Sequence, residues 1–268
     1  QTTAPRYLRK ATVDIGILWR TRVREGAHMW NNKTIAVVLP TYNEHLSIAE
    51  CITRFEALGI VDHVIVVNNN AHPYTSPAIA ATGAIEVFEV EQGYGAAIQR
   101  GLDEALTLGV DLISICEPDG TFDPEDLLKL LPYTKDVEVV FGSRTIQEFI
   151  LSGANMGTFL KWGNWAVAKI VEVLFNTIYL SDVGCTFRIM SRSAVEQIQP
   201  SFERKGSAFG FEMMLHVISQ RISFVQLPLN YNPRVGKSSV TGSKWKTFVL
   251  GMEMFAMCFT YRARRSRI

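Results

Sequence analysis

Short, almost continuously apolar runs alternate with longer stretches of helical periodicity along most of this chain. Residues Thr34 to Leu39 and His63 to Val67 are of the first kind, and His45 to Leu58 between them is of the second. An apolar run without polar alternation is expected of a strand covered on both faces, and the order strand, helix, strand is the rhythm of a parallel sheet. The same reasoning predicts strands at Ile85 to Val90, Asp111 to Cys116, Val137 to Phe141 and Ile222 to Leu227. Helices are expected after the glycine-rich turn at 91–95, after Asp123, over Gly157 to Leu180, after Ser191 and from Phe209. The predicted class is α/β, with a mostly parallel central sheet and helices on both faces.

The two ends of the chain depart from this rhythm. Residues 1–32 carry Arg6, Arg9, Lys10, Arg20, Arg22 and Arg24 around an apolar patch and are read as an N-terminal extension or a vector-derived segment, with Met29 as a candidate start. Residues 33–243 form the predicted α/β domain, and 244–268 a basic amphipathic helix. In that helix Phe248, Met252, Phe255 and Phe259 recur at helical spacing, but Glu253 and the short apolar length argue against a bilayer span. Lys244, Trp245 and Lys246 at one end and Arg262, Arg264, Arg265 and Arg267 at the other suit a membrane surface. The competing expectation is an ordinary terminal helix packed on the domain, its arginines complementing the helix dipole.

Composition changes this picture little. A chain of 268 residues can build one large domain, and a net charge of +1 gives no reason to expect a nucleic-acid partner. Cys51, Cys116, Cys185 and Cys258 are far apart, form no C-x-x-C pair and lie in apolar surroundings, as reduced core cysteines of a cytoplasmic protein would. Neither a secretory leader nor a spanning helix is expected.

Candidate chemistry gathers where predicted strands end. Glu117 and Asp119, two apart on a turn beyond the fourth strand, can both reach one hard divalent cation that also bridges phosphates. Nearby Asp123, Pro124, Glu125 and Asp126 are explained locally, as an N-cap, a first helical residue and two acids that complement the helix dipole. The first turn, Leu39 to Glu44, offers backbone N–H groups and the Tyr42 ring to a nucleobase, although Thr41 and Glu44 also have the spacing of a capping box. Asn68 to Asn70 suit ribose or base edges, and equally a turn. The glycines at 93, 95 and 101 do not make a dinucleotide fingerprint, because they follow the third strand and Ile98 fills the close-packing slot. Arg144 could hold a phosphate or form a structural ion pair; Asp182, Arg188 and Glu212 are polar members of apolar runs and are therefore paired or functional, with Asp182 and Arg188 a candidate pair. The polar, cationic segment Asn230 to Ser239, which includes Arg234 and Lys237, has the character of a lid over a pyrophosphate.

Taken in order and spacing, residues 37–44, 93–101, 117–119, 142–144, 182–190 and 234–238 resemble glycosyltransferase family 2. The most similar subgroup is the polyprenyl-phosphate sugar synthases, such as dolichyl-phosphate mannosyltransferase, and the resemblance covers about residues 33 to 245. It implies a GT-A, Rossmann-like fold, a UDP- or GDP-sugar donor, Mg²⁺ or Mn²⁺, and inversion at the anomeric carbon. By position, Pro40, Tyr42 and Glu44 would line the nucleotide pocket with Asn68, Gly93 and Gly95. Glu117 and Asp119 would take the place of the D-x-D acids, and Arg144, Arg234 and Lys237 would handle phosphates. The chain departs from the family at Asn68 to Asn70, where acids are usual, and at Glu117 and Pro118 in place of Asp-Ala. The expected reaction moves a hexosyl group to a polyprenyl phosphate at the cytoplasmic membrane surface. A sugar or other hydroxyl acceptor would need a base, for which Asp182 and Glu212 are candidates, and a nucleotide-binding module without catalysis is the rival of a different class.

Overall fold

The structure is a computed structural model that describes residues 30–154, 157–177, 179–236 and 244–265. The expectations for residues 1–29, for Lys237 and for Arg267 lie outside these residues.

Seven strands form one sheet: β1 (Ile35–Thr41), β2 (His63–Asn68), β3 (Ile85–Phe88), β4 (Leu112–Ile115), β5 (Val139–Ser143), β6 (Arg188–Ser191) and β7 (Phe224–Pro228). Their order is β3-β2-β1-β4-β6-β5-β7, and only β6 runs antiparallel to its neighbours β4 and β5. The helices are α1 (Ile48–Ala57), α2 (Thr75–Ala80), α3 (Tyr94–Leu108), α4 (Leu127–Leu130), α5 (Thr158–Phe175), α6 (Arg192–Ile198), α7 (Phe209–Ser219) and α8 (Lys244–Arg265). The period-2 alternation of each strand sorts its side chains between two cores. Ala36, Val38, Ile113 and Phe141 face α3, α5, α7 and α8, while Ile35, Val37, Leu39 and Leu112 face α1 and α4.

The reversed strand follows the place where the chain returns to the sheet. Helix α5 starts at the carboxyl edge of the parallel strands and ends at Asn176, whose left-handed φ of 47° makes it the C-cap, so the helix is shorter than the 157–180 predicted. The returning chain is then pinned at the carboxyl edge where Asp182 pairs with Arg144, just past the end of β5. A strand that begins there can only run back through the sheet, and β6 does. Its first residue, Arg188, is buried, with its guanidinium donating to the carbonyls of Cys185 at 2.6 Å and Gly210 at 2.8 Å.

Close packing between α3 and the sheet falls to Gly101, where an added Cβ would overlap Val38, whereas Ile98 is an ordinary buried side chain. Helix α8 buries Met254, Met257, Cys258 and Tyr261 against the domain and leaves Trp245, Phe248, Val249, Met252, Phe255 and Phe259 exposed. All four cysteines are free, three of them buried.

Candidate functional site

The carboxyl edge of β1 and β4 is built by side chains that fold their own turns. In the first turn one Glu44 carboxylate oxygen accepts the N–H groups of Tyr42 at 2.7 Å and Asn43 at 2.8 Å. Thr41 takes no part in a capping box, since its hydroxyl goes to the Leu39 carbonyl. The residue before α1 is Ser47, and its hydroxyl donates to the Pro118 carbonyl at 2.6 Å, which ties the first turn to the acidic one.

In the acidic turn Asp119 is fully buried. Its Oδ1 accepts from the Thr121 N–H at 2.9 Å and hydroxyl at 2.5 Å, while its Oδ2 has no hydrogen bond. Arg234 forms an ion pair with Oδ2, its Nη2 lying 2.9 Å from it and 3.5 Å from Glu44 Oε1. Burial, and next the Asp119 charge, push the Glu117 carboxyl up to about 8. Two carboxyl groups therefore share a buried place, and one buried oxygen is met by an ion pair but by no hydrogen bond. Among the described residues no cluster of three or more His, Cys, Asp or Glu side chains encloses an ion. The pair fits a hard divalent cation that completes its shell with phosphate oxygens and water, the habit of Mg²⁺ and Mn²⁺.

The neighbouring acids depart from their predicted duties. Asp123 occupies the position before a short 3₁₀ turn, Pro124–Asp126, but its carboxylate and that of Glu125 bond Arg54 of α1 rather than capping the backbone. Asp126 is buried and accepts the Asn230 N–H at 2.6 Å and its amide Nδ2 at 3.1 Å. With the bonds from Asn232 to the Thr121 carbonyl and from Val235 to the Asp119 carbonyl, both 2.8 Å, it seats the segment that carries Arg234.

Arg144 forms the ion pair expected as one of its two roles, and it also lines the cavity. Asp182 Oδ2 accepts its N–H and its Nε, each at 2.9 Å, and Oδ1 accepts its Nη2 at 3.0 Å. Burial alone would raise the Asp182 pKa, but the Arg144 guanidinium outweighs it and holds the carboxylate below its ordinary range. The expected Asp182–Arg188 pair is absent, because Arg188 is spent on carbonyls. Glu212 is fully buried away from the cavity, accepting the Tyr261 hydroxyl at 2.7 Å and the N–H groups of Arg204 and Glu203, so it joins α7 to α8. Both base candidates are thus engaged elsewhere.

On the nucleotide side the register shifts by one. Asn68 bonds Ser76, Glu86 and the Ala71 N–H beneath the surface, and Asn69 lines the cavity instead. All of Asn69's polar valence is used: Oδ1 accepts from Gln92 and the Gly93 N–H, and Nδ2 donates to the Glu89 and Glu91 carbonyls. Gly93 lines the cavity, but Gly95 does not. A Cβ on Gly95 would sit 2.7 Å from Phe209 Cβ and 2.8 Å from the Arg204 carbonyl, so that glycine serves packing.

These groups open on one cavity of about 750 Å³. Pro40, Tyr42, Glu44, Asn69 and Gly93 line one part, Glu117, Asp119, Arg144 and Arg234 another, and a third runs between α5 and α8 past Leu160, Val167, Ile170, Leu250 and Phe255. A second cavity, of about 770 Å³, lies at the far ends of α5 and α7 and has no acid among its described lining residues. Polar residues of the main cavity that sequence reading did not assign to the site include Tyr94, Thr186 and Tyr231. All three sit inside stretches singled out for other residues, Tyr231 in the segment that carries Arg234.

Such a sheet, with paired acids and arginines over its carboxyl edge, is the GT-A architecture of glycosyltransferases. The sequence model of Glycosyl transferase family 2 matches residues 36–199, and the chain belongs to that family. The low-salt glycan biosynthesis hexosyltransferase of Haloferax volcanii is 30% identical over 214 residues, which are 77% of this chain and 50% of that protein. The chain thus spans about half the length of that relative. The undecaprenyl-phosphate mannosyltransferase of Micrococcus luteus is 24% identical over 243 residues, covering 87% of this chain and 98% of its own. Among solved structures, glucosyl-3-phosphoglycerate synthase from Mycobacterium tuberculosis in complex with Mn²⁺, UDP-glucose and phosphoglyceric acid superposes with a TM-score of 0.67 at 17% identity. That match covers 87% of this chain and 81% of the other and shows the fold.

Proposed function

We propose that this enzyme transfers a hexosyl group from a nucleotide sugar to a polyprenyl phosphate, with inversion, in the presence of Mg²⁺ or Mn²⁺. The observation that carries the reading is the continuity of one cavity from a charged floor at Glu117, Asp119, Arg144 and Arg234 into an apolar trough between α5 and α8. A phosphate bearing a long apolar chain matches both ends. The likeness to the mannosyltransferase of Micrococcus luteus, named for undecaprenyl phosphate, supports the same class of acceptor.

The protein's part in the chemistry is positioning and charge. Pro40, Tyr42, Glu44 and Gly93 cradle the nucleotide end, and Glu117 with Asp119 would hold the cation, which when bound neutralises charge on the diphosphate. Arg144, oriented by Asp182, presents a fixed guanidinium to phosphate oxygens. Arg234 contributes a second cation from the seated loop, and Lys237 is assigned the same task by sequence alone. A phosphate acceptor is ionised at neutral pH and needs no general base, in keeping with the engagement of Asp182 and Glu212 elsewhere. The enzyme is placed peripherally on the cytoplasmic face of a membrane; the exposed aromatic face of α8, with Trp162 and Trp165 exposed on α5, supports the membrane contact.

The test supplies labelled UDP- and GDP-hexoses with Mn²⁺ or Mg²⁺ and compares a short-chain polyprenyl phosphate with phosphoglycerate and simple sugars as acceptors. Product on the polyprenyl phosphate, dependent on the cation, is expected. Transfer only to a hydroxyl acceptor would overturn the reading.

A further inference from the structure

Among the described residues, Asp119 Oδ2, Tyr94 Oη and Thr186 Oγ1 are buried side-chain atoms without a hydrogen-bond partner, and all three residues line the main cavity. Native proteins pair almost all buried polar atoms, so three of them in the lining of one cavity mark a place where a bound molecule completes the bonding. Asp119 Oδ2 is accounted for by a cation and, in its absence, by Arg234. The two hydroxyls have only each other: they lie within reach of a mutual contact, which leaves at least one hydroxyl proton and several lone pairs unused.

Both hydroxyls are held on rigid backbone. Tyr94 opens α3 between two glycines that abut the Lys205 carbonyl and Phe209, so the helix start is clamped to the 204–209 segment. Thr186 directly precedes Phe187 and β6, and the Arg188 guanidinium grips the carbonyls of Cys185 and Thr186. On one side the Tyr94 phenol feels the charge of Glu117. On the other, Gly184 lies so close to Arg144 and Asn164 that an added Cβ would be 2.7 Å from each. The pair therefore stands between the acids that would meet the diphosphate and the helix that begins the apolar trough.

The chemistry of this middle section differs from that of its neighbours. Phosphate oxygens only accept hydrogen bonds and are served by Arg144 and Arg234, and an apolar chain asks for no polar partner. Two neutral hydroxyls that each donate and accept match the hydroxyls of a sugar. We propose that Tyr94 and Thr186 bind hydroxyl groups of the transferred hexose and so determine which sugar the enzyme accepts. The proposal rests on the donor reading given above.

Calorimetric titration of the full chain with Mn²⁺ tests it by comparing UDP-glucose with UDP, and GDP-mannose with GDP. Tyr94→Phe and Thr186→Val remove one hydroxyl each at nearly constant shape, and Thr186→Ser keeps the hydroxyl while losing the methyl. The expected result is that the first two bind the nucleoside diphosphate as wild type does but lose about tenfold in affinity for the sugar nucleotide. Thr186→Ser should retain the wild-type ratio, which also controls for a change in fold. An unchanged ratio in Tyr94→Phe and Thr186→Val, or an equal loss for both ligands of a pair, overturns the sugar pocket and leaves the donor reading standing. A wild-type chain that binds neither pair overturns both.

Discussion

At the residue scale the acid pair sets the pH behaviour. A Glu117 carboxyl pushed up to about 8 keeps in the folded state a proton that the unfolded chain has already lost above about 4.5. Between those values the folded state binds more protons, so metal-free stability should fall as pH rises and level off above about 8. Glu117→Gln should flatten that slope, as thermal melts in chelator would show. Because a bound cation needs the carboxylate, Mn²⁺ affinity should rise across the same window, by up to about tenfold per pH unit, and plateau above it. A second residue competes for the same charge. Arg234 rests on Asp119 Oδ2 in this structure, so Arg234→Gln should tighten Mn²⁺ binding measured without donor, while lowering turnover through loss of a phosphate contact. Weaker Mn²⁺ binding in that variant would show that the arginine helps to build the acid site instead of occupying it. Asp119→Asn, which can keep the Thr121 bonds through Oδ1, should fold and lose cation-dependent nucleotide binding. Its buried position makes Asp119→Ala the poorer test, since two bonds inside the turn go with the charge.

Elements were legible in the sequence where burial alone decides them. Strands β1, β2 and β4 fall within one or two residues of the apolar runs that predict them, because a strand covered on both faces has no other pattern to show. What local pattern could not reveal is pairing across the fold. The chain enters β6 beside an ion pair between residues 144 and 182, and the duty of Asp126 depends on Asn230, 104 positions away. The site shows the same division. Glu117, Asp119 and Arg144 were legible as polar groups at strand ends, whereas the exchange of Asn68 for Asn69 turns on which side chain points below the edge. Helix α8 illustrates how one periodicity can hold two stripes. Its inner stripe is anchored by the Tyr261 hydroxyl on Glu212, beside His216 at 3.4 Å. Tyr261→Phe leaves that buried carboxylate one donor short and should cost about 1–3 kcal/mol in chemical denaturation, with donor binding intact. A neutral outcome would mean that water replaces the phenol.

At the scale of the whole molecule, the outer stripe of α8 and the mouth of the cavity are parts of one surface. Trp245 is 72% exposed, and Phe248, Met252, Phe255 and Phe259 are each between 41% and 51% exposed along the same helix. Phe248, Met252 and Phe255 also line the cavity, so whatever covers this stripe meets the apolar trough directly. No helix among the described residues is long and apolar enough to cross a bilayer. An apolar face beside Arg262 and Arg264 is the pattern of a helix lying in a lipid interface. If a membrane is that covering, binding to vesicles and use of a membrane-embedded acceptor should fail together when the face is made polar. Phe255→Glu with Phe259→Glu should reduce flotation with anionic vesicles by about tenfold or more, since two aromatic side chains are withdrawn from the interface and two like charges are added. Turnover with a polyprenyl phosphate held in those vesicles should drop in step, while nucleotide-sugar binding in solution stays as in wild type, because Glu117, Asp119 and Arg144 are untouched. Raising salt should weaken wild-type flotation only in part, as the apolar contribution is not screened. Full flotation by the double variant would leave the aromatic face without a role in membrane binding and would assign the trough to a soluble acceptor.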